Sequence, residues 1–295
     1  MILSPTFLAQ LDRLSIVNRR MRAGLIQGER RSPNRGGSVE FADFRTYVHG
    51  DDFRQIDWNA YARLERLFVK LFVAEEDLTI HLLLDASRSM AWGEPEKWGY
   101  ARRLAAALGY VALVGLDRVT GAALGANAAG SAGNSVLFRP HRGKRQALTW
   151  FGWLSGLEPG GPLDPPAALY NYRATTRHPG PLLVISDLLG PGWEDGLRAL
   201  AGYRFEVTVL HLLAPQEVDP VLEGDLRLVD SESASVVEVT ADYDLIQRYR
   251  ERLAGWQAQL RQTCAAIGAR YVFLETSTPL EDLVLAYLRR FDVVR

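Results

Sequence analysis

Residues 79–90 read TIHLLLDASRSM, in which a nearly continuous apolar run over 79–84 ends abruptly in polar side chains. Such a short apolar run is typical of a β-strand that is buried on both faces. Two later runs share this character and are predicted core strands: PLLVIS at 181–186 and FEVTVLHLL at 205–213. Alanine-rich or amphipathic segments between and after the runs are predicted helices over 97–116, 146–157, 167–176, 193–202 and 243–267.

This alternation of strands and helices indicates the fold class. Strands joined through helices of about ten or more residues form right-handed crossovers, which produce a parallel sheet covered on both faces. We therefore predict an α/β fold with a doubly wound, mostly parallel sheet of the Rossmann type and helices on both faces. Because the sequence before residue 75 is dense in charged and aromatic residues, we predict a separate N-terminal segment over 1–75 and the α/β domain over 76–295.

Composition excludes several classes of protein. The chain has 295 residues, of which 47% are hydrophobic and 23% charged, as in globular proteins and unlike disordered ones. A net charge of −1 excludes a polycation that coats nucleic acid. The single cysteine, Cys264, lies on the apolar stripe of the helix at 243–267 and is a predicted core residue. The longest apolar run, 104–116, is shorter than the roughly 17–25 residues of a membrane span, so we expect a cytoplasmic protein, with peripheral membrane attachment as the alternative.

Oxygen-bearing side chains follow two of the predicted core strands. They are Asp85, Ser87 and Ser89 after the first strand and Asp187 after PLLVIS. In open parallel sheets ligands bind beyond the carboxyl ends of the strands, so these side chains are expected to converge. Carboxylate and hydroxyl oxygens suit Mg²⁺, with Mn²⁺ or Ca²⁺ as alternatives, whereas zinc prefers histidine and cysteine. His81 and His211 lie inside strand runs and are predicted to be hydrogen-bonded residues of the core or its edge, not ligands.

The main enzymatic alternative is a phosphatase or phosphotransferase of the haloacid dehalogenase type, with an aspartate nucleophile after a buried strand. That chemistry needs a second acid two residues later, where Ser87 stands. It also needs a lysine near the later acidic loop, and no lysine follows Lys144. Phosphate-loop, dinucleotide-binding and GxSxG motifs are absent from the sequence. We therefore predict a protein that is not an enzyme and has no catalytic residues.

The segment Leu83–Met90 resembles the first loop of von Willebrand factor A-like domains, whose DxSxS motif begins a metal-ion-dependent adhesion site. The segment Ile185–Asp187 resembles the aspartate loop of that site, and the resemblance covers residues 76–295. It implies a protein-binding module whose bound metal accepts a carboxylate from the partner. The family's middle loop usually carries a threonine after two glycines, where this chain has Pro162. The resemblance then implies a weak or lost metal site, or one that uses Asp164 or water.

A second resemblance is carried by the N-terminal segment. Its motifs are GSVEF at 37–41, DFRTY at 43–47, GDDFRQIDW at 50–58 and Ala62-Arg63. Together they resemble the domain-of-unknown-function-58 (DUF58) family, bacterial and archaeal proteins that join this segment to a von Willebrand A-like domain. Genes of that family commonly accompany MoxR-type AAA+ ATPases. The resemblance implies a MoxR-type ATPase as partner and a role in the assembly or maturation of a client protein.

The polar and aromatic residues of this signature admit two interpretations. They are Arg45, Asp51, Asp52, Arg54, Asp57, Trp58 and Arg63. Arginine–carboxylate pairs among them would form a rigid scaffold, with Asp57 and Trp58 as structural residues. Alternatively, the same residues form a docking surface for a partner. A separate stretch, 13–35, holds seven arginines and one glutamate, which predicts either a solvated helix face or a site for nucleic acid or an anionic surface.

Overall fold

The computed structural model describes residues 2–17, 39–51, 53–74, 78–126, 135–160, 163–230 and 235–295. The chain divides into two units, of which the smaller is Arg20–Asp77 and the larger combines Met1–Arg19 with Leu78–Arg295. The boundary near residue 77 lies close to the predicted one. The assignment of the first 19 residues differs from the prediction, because they belong to the larger unit.

The described strands and longer helices are as follows. The strands are β1 (Val39–Thr46), β2 (Phe68–Ala74), β3 (Thr79–Asp85), β4 (Arg118–Leu124), β5 (Val136–Arg142), β6 (Pro181–Ser186), β7 (Glu206–Leu213), β8 (Gly224–Val229), β9 (Val236–Ala241) and β10 (Arg270–Glu275). The helices are α1 (Pro5–Leu11), α2 (Trp58–Leu64), α3 (Lys97–Val114), α4 (Ala147–Ser155), α5 (Pro165–Thr175), α6 (Trp193–Ala201) and α7 (Tyr243–Ala266). A helical segment over 280–290 follows β10.

The larger unit is built on a six-stranded sheet in the order β10-β7-β6-β3-β4-β5. Strand β5 runs antiparallel to β4, and all other neighbours in this sheet are parallel. Strands β8 and β9 form a separate antiparallel hairpin. Chain order reverses between β3 and β6, because β4 lies on one side of β3 while β6 and β7 lie on the other.

Successive residues of β3 show that helices cover both faces of the sheet. Leu82 and Leu84 belong to the hydrophobic core that contains the buried face of α3, whereas Leu83 belongs to a second core with Leu169 of α5 and Leu197 of α6. This alternation follows from the two-residue period of a strand. The predicted α/β class, with a mostly parallel sheet between two helical layers, is therefore confirmed.

Helix α1 belongs to the larger unit because its apolar side lies in the first of these cores. Phe7 and Leu11, one helical turn apart, are buried. The chain then pairs Ile16 with Val294 in an antiparallel bridge. These contacts correct the predicted N-terminal segment 1–75: its first part joins the α/β unit through residues at the far end of the sequence.

Two further features that the sequence analysis addressed are the single cysteine and membrane spans. Cys264 is buried on α7, as its place on the apolar stripe predicted. Among the described residues, the structure contains no helix that is both long enough and apolar enough to cross a membrane.

Candidate functional site

The site lies at the carboxyl edge of the sheet, where chain order reverses between the neighbouring strands β3 and β6. Asp85 is the last residue of β3 and Asp187 directly follows β6, with 1% and 0% of their surfaces exposed. Such a reversal opens a crevice at this edge, which is why ligands commonly bind there. The structure thus places both predicted aspartates at the predicted edge.

Both carboxylate oxygens of Asp85 accept hydrogen bonds. The backbone N–H of Ser87 donates to Oδ1 at 2.9 Å, and the Ser186 hydroxyl donates to Oδ2 at 2.6 Å. Burial raises the pKa of Asp85 to about 7, with a further contribution from the charge of Asp187 and an opposing one from these hydrogen bonds. Ser186 was not among the predicted site residues, although it stands directly before Asp187 in the sequence.

Ser87 and Ser89 bring two hydroxyl groups to the loop after β3. Their Oγ atoms are 3.0 Å apart and share a hydrogen bond. Ser87 is buried and Ser89 is half-buried, at the start of a short 3-10 turn over Arg88–Ala91. The DxSxS spacing therefore brings the two hydroxyls together in the loop that follows Asp85.

Asp187 is paired with Lys97, which is not among the site residues predicted from the sequence. The Nζ atom of Lys97 donates to Oδ2 of Asp187 at 2.7 Å, and neither side chain is exposed to solvent. The other oxygen of Asp187 accepts the backbone N–H of Leu189 at 3.0 Å. The carboxylate is thus neutralised by an ammonium group of the protein itself.

Lys97 reaches a second carboxylate on a third element. Its Nζ atom lies 2.5 Å from Oε1 of Glu217, in a one-turn helix over Pro215–Val218 that follows β7. The other oxygen of Glu217 accepts the backbone N–H of Ala214 at 2.8 Å. Burial raises the pKa of Glu217, although the positive charge of Lys97 opposes this. One ammonium group therefore links the loops that follow β6 and β7.

A signal for Lys97 exists in the sequence. It is the first residue of helix α3, where the positive end of the helix dipole disfavours a cation. It is also one of only three lysines in a chain whose other basic residues are all arginine. A lysine in so unfavourable a position predicts a carboxylate partner, but the partner's position in the sequence cannot be read from the lysine.

His211 supports the same edge from β7. Its Nε2–H donates to the backbone oxygen of Asp187 at 3.0 Å, and the Tyr271 hydroxyl donates to its Nδ1 at 2.6 Å. Burial lowers the pKa of His211 from 6.5 to about 4. His81 is bonded in the same way, to Tyr172 at 2.7 Å and to the backbone oxygen of His178 at 3.0 Å. Both histidines are hydrogen-bonded core residues, as predicted.

The predicted metal ligands can be compared with this arrangement. A divalent ion bound by both aspartates would lie beside the Lys97 ammonium, which already contacts Asp187. Within the described ranges, no three histidine, cysteine, aspartate or glutamate side chains are grouped to hold a metal ion. Asp164 caps α5, where it accepts the backbone N–H of Ala167 at 3.1 Å, and Pro162 lies outside the described residues. These contacts do not fit a divalent ion held between Asp85 and Asp187.

The phosphotransferase alternative needs a lysine near the later acidic loop, and the structure provides one. A lysine does reach the later acidic loop, although it is Lys97, which precedes that loop, and not a residue after Lys144. The second acid that this alternative also needs, two residues after Asp85, is replaced by Ser87. Asp85, the nucleophile in that alternative, is buried and accepts hydrogen bonds at both carboxylate oxygens.

In the smaller unit, the described signature residues lie at the end of strand β1, in the segment that follows it and on helix α2. Arg45 Nη2 donates to Asp51 Oδ1 at 2.8 Å, and Asp51 Oδ2 accepts the backbone N–H of Val48 at 2.9 Å. Asp57 begins helix α2. Its Oδ1 accepts the backbone N–H groups of the second and third residues after it, at 2.9 and 3.1 Å. These contacts are those of a scaffold.

Other residues of the same unit have the character of a binding surface. Trp58 is 60% exposed and packs edge-on against Tyr61, with ring centroids 6.2 Å apart. Arg54 and Arg63 are exposed as well. Asp52 lies outside the described residues, as do all the arginines of 13–35 except Arg13.

Comparisons with known sequences give one family and several relatives. The sequence matches the family described as "Protein of unknown function DUF58" over residues 43–260. It is 30% identical over 285 residues to an uncharacterised protein of Mycobacterium bovis, which covers 95% of this chain and 88% of the relative. The same values hold for an uncharacterised protein of Mycobacterium tuberculosis.

Comparisons with solved structures give neighbours of low sequence identity. One is the conserved hypothetical protein BatB from Bacteroides thetaiotaomicron, with a TM-score of 0.43 and 15% identity over 72% of this chain and 98% of that one. Another is an aerotolerance-related membrane protein from Bacteroides fragilis, with a TM-score of 0.44 and 14% identity over 73% of this chain and 98% of that one.

Proposed function

The chain belongs to the DUF58 family, and we propose that it is a protein-binding module that contacts its partner through the loops at the carboxyl edge of the sheet. One observation carries the proposal: exposed apolar side chains follow three neighbouring strands at that edge. Trp92 follows β3, Leu189 follows β6 and Val221 follows β7, with 49%, 42% and 91% of their surfaces exposed. Exposed aromatic side chains on loops held by a rigid scaffold are common anchors of protein interfaces, and the apolar side chains around them exclude water from the contact.

The buried contacts beneath these loops support the same proposal. The Lys97 ammonium bonds to Asp187 and Glu217, and the Gln216 side chain bonds to both backbone groups of Glu94, at 3.1 and 2.8 Å. The loops after β3, β6 and β7 are therefore tied to one another. Preorganised loops lose little conformational freedom when a partner binds, which favours affinity.

The partner class is proposed from the sequence resemblance. DUF58 proteins resemble this chain in the motifs of residues 37–63, and their genes commonly accompany MoxR-type AAA+ ATPases. We propose such an ATPase as the partner, acting with this chain on a client protein. We propose that the part of the chain that binds the ATPase is residues 76–295, which resemble a von Willebrand A-like domain.

A binding measurement with single variants tests this proposal. The full chain is titrated with the MoxR-type ATPase of the same organism by biolayer interferometry. We expect Trp92→Ala to weaken binding more than about tenfold, because an aromatic interface anchor contributes more than about 1.4 kcal/mol, and Leu189→Ser to weaken it by a smaller factor. Leu148→Ser is the matched control, since Leu148 is 80% exposed on α4. Binding that none of these changes affects, or no binding at all, would contradict the proposal.

We also propose that the chain is not an enzyme, and the phosphotransferase alternative supplies the test. That alternative is favoured by one observation, the contact of Lys97 with the aspartate after β6. The purified chain is assayed with p-nitrophenyl phosphate and acetyl phosphate in the presence of Mg²⁺. We expect no turnover. Turnover that is lost in Asp85→Asn would replace the binding proposal by phosphoryl transfer.

A further inference from the structure

Lys97 occupies a position that is unfavourable for a cation unless it is compensated. It is the first residue of α3, at the positive end of the helix dipole, and it is fully buried. Burying an ammonium group is costly unless carboxylates and good hydrogen-bond geometry accompany it. The carboxylates of Asp187 and Glu217 supply this at 2.7 and 2.5 Å. The surroundings of Lys97 are therefore built around its charge.

The type of cationic side chain at position 97, lysine and not arginine, also affects what this cluster can hold. Lysine carries a compact point charge with three rotatable donors, whereas arginine carries a broad planar group that needs more space. Of the 34 lysine and arginine residues, 31 are arginine, yet this buried position holds a lysine. A compact charge that touches two carboxylates from different loops occupies the place that a small metal cation would take in such a cluster.

The same cluster leaves little for a divalent ion to bind. Asp187 uses one oxygen for Lys97 and the other for the backbone N–H of Leu189. A dication on Asp187 would also stand within a few ångströms of the ammonium group, where the low dielectric of the interior strengthens repulsion. Both effects act against metal binding at this aspartate.

We propose that the Lys97 ammonium is the resident cation of this edge, and that it holds the loops after β6 and β7 together in place of a divalent metal ion. The edge then forms without added metal, and the stability of the folded chain is insensitive to chelators. The proposal concerns the isolated chain and stands whether or not the edge binds an ATPase. Its failure would therefore be distinct from a failure of the proposed function.

Manganese binding to the full chain tests the proposal. Electron paramagnetic resonance of free Mn²⁺ and the melting temperature are followed up to about 10 mM metal, since a ligand of the folded state raises stability by mass action. We expect neither Mn²⁺ nor EDTA to shift the melting temperature of the wild type. Lys97→Ala should gain Mn²⁺ binding and a Mn²⁺-dependent rise in melting temperature, and the added change Asp187→Asn should abolish both. Lys144→Ala is the matched control, because Lys144 is 58% exposed.

Two results would overturn the proposal. The first is Mn²⁺ binding by the wild type that Asp187→Asn removes, which would make Asp187 a metal ligand despite Lys97. The second comes from labelling of the native chain with an acetylating reagent and mass spectrometry, which does not depend on Lys97→Ala being folded. We expect Lys97 to be protected and Lys144 to react. Equal reaction of the two lysines would show that the Lys97 amine is not sequestered in the cluster.

Discussion

The ion cluster of Lys97, Asp187 and Glu217 at the carboxyl edge of the large sheet and helix α2 of the smaller unit place polar and apolar residues in opposite ways. At the edge, the charged side chains of Lys97 and Asp187 are fully buried. At helix α2, the aromatic ring of Trp58 is 60% exposed, and the nearby Phe53 is 65% exposed. The charged side chains of this cluster thus bond to one another inside the protein, whereas several large apolar residues of the signature face solvent.

This difference shows that residue type alone does not separate structure from recognition. A carboxylate at a sheet edge is a candidate ligand only if it is accessible, and an aromatic residue is a core residue only if it is covered. We expect substitutions in the buried ion cluster of the edge to act mainly on stability and substitutions on the exposed surface of α2 to leave stability almost unchanged.

The largest expected effect is that of Lys97→Met. Removing the ammonium leaves the buried Asp187 carboxylate without its cation, which costs about 3–5 kcal/mol in the free energy of unfolding. Urea denaturation measures this loss. The matched control is Lys144→Met, whose ion pair with Asp12 is exposed by 58% and 37% and should contribute at most about 1 kcal/mol. Equal losses in the two variants would contradict the assignment of Lys97 to a buried cluster.

The next effect is a pH dependence that belongs to His81 in the larger unit. Burial lowers the pKa of His81 from 6.5 to about 4, so the unfolded chain binds its proton more readily than the folded chain does. The contribution of neutral His81 to stability is complete above pH 6.5 and is lost as the pH falls towards 4. The loss amounts to about 3 kcal/mol.

Denaturation at several pH values compares the wild type with His81→Phe. The difference between their free energies of unfolding should narrow as the pH falls through this window, because the variant has no imidazole to protonate. His49→Phe is the matched control, because His49, the smaller unit's only histidine, is exposed. A constant difference between the wild type and His81→Phe would show that His81 is not held neutral in the core.

A smaller effect is expected for Asp57→Ala in the smaller unit. Asp57 caps α2 through two backbone N–H groups, and losing a cap of this kind costs about 1 kcal/mol. Hydrogen exchange of the amides over 58–64 reports the loss locally. Asp164→Ala removes the corresponding cap of α5 in the larger unit and provides the comparison. A loss above about 3 kcal/mol for Asp57→Ala would instead indicate a buried ion pair.

The smallest effect is expected for Trp58→Ala. An exposed side chain contributes within about 0.5 kcal/mol to stability, so the melting temperature should hardly change. Trp150→Ala is the contrast, because Trp150 is fully buried and donates from Nε1 to the backbone oxygen of Ala105 at 3.1 Å. Its truncation should cost about 3–5 kcal/mol. If Trp58→Ala abolishes ATPase binding while Trp92→Ala does not, the docking surface lies on the smaller unit.

The fold could be predicted from the sequence because its signals are local. The apolar runs that became β3, β6 and β7 are short and nearly continuous, and the spacing of apolar residues that buries Cys264 lies within one helix. The convergence of Asp85 and Asp187 could be predicted for a related reason. Parallel strands end at the same edge, so residues that follow them share a place whatever their separation in the sequence.

The contacts that could not be predicted are pairings between distant segments. The partners of Lys97 follow it by 90 and 120 residues, and nothing near Lys97 in the sequence identifies them. Helix α1 joins the larger unit for a similar reason, since Ile16 pairs with Val294 near the other end of the chain. The exposure of Trp58 depends on what the fold leaves uncovered, which the neighbouring residues do not determine.

The ion cluster of Lys97 has a kinetic consequence. Contacts between residues so far apart along the chain form only after long loops have closed, so this cluster is expected to assemble after the transition state for folding. Interactions that are absent from the transition state act on the unfolding rate and leave the folding rate nearly unchanged. In stopped-flow measurements, Lys97→Met should therefore unfold faster while refolding at the wild-type rate. The lifetime of the folded chain, and with it its resistance to proteases that attack the unfolded form, would then depend on one buried ammonium group.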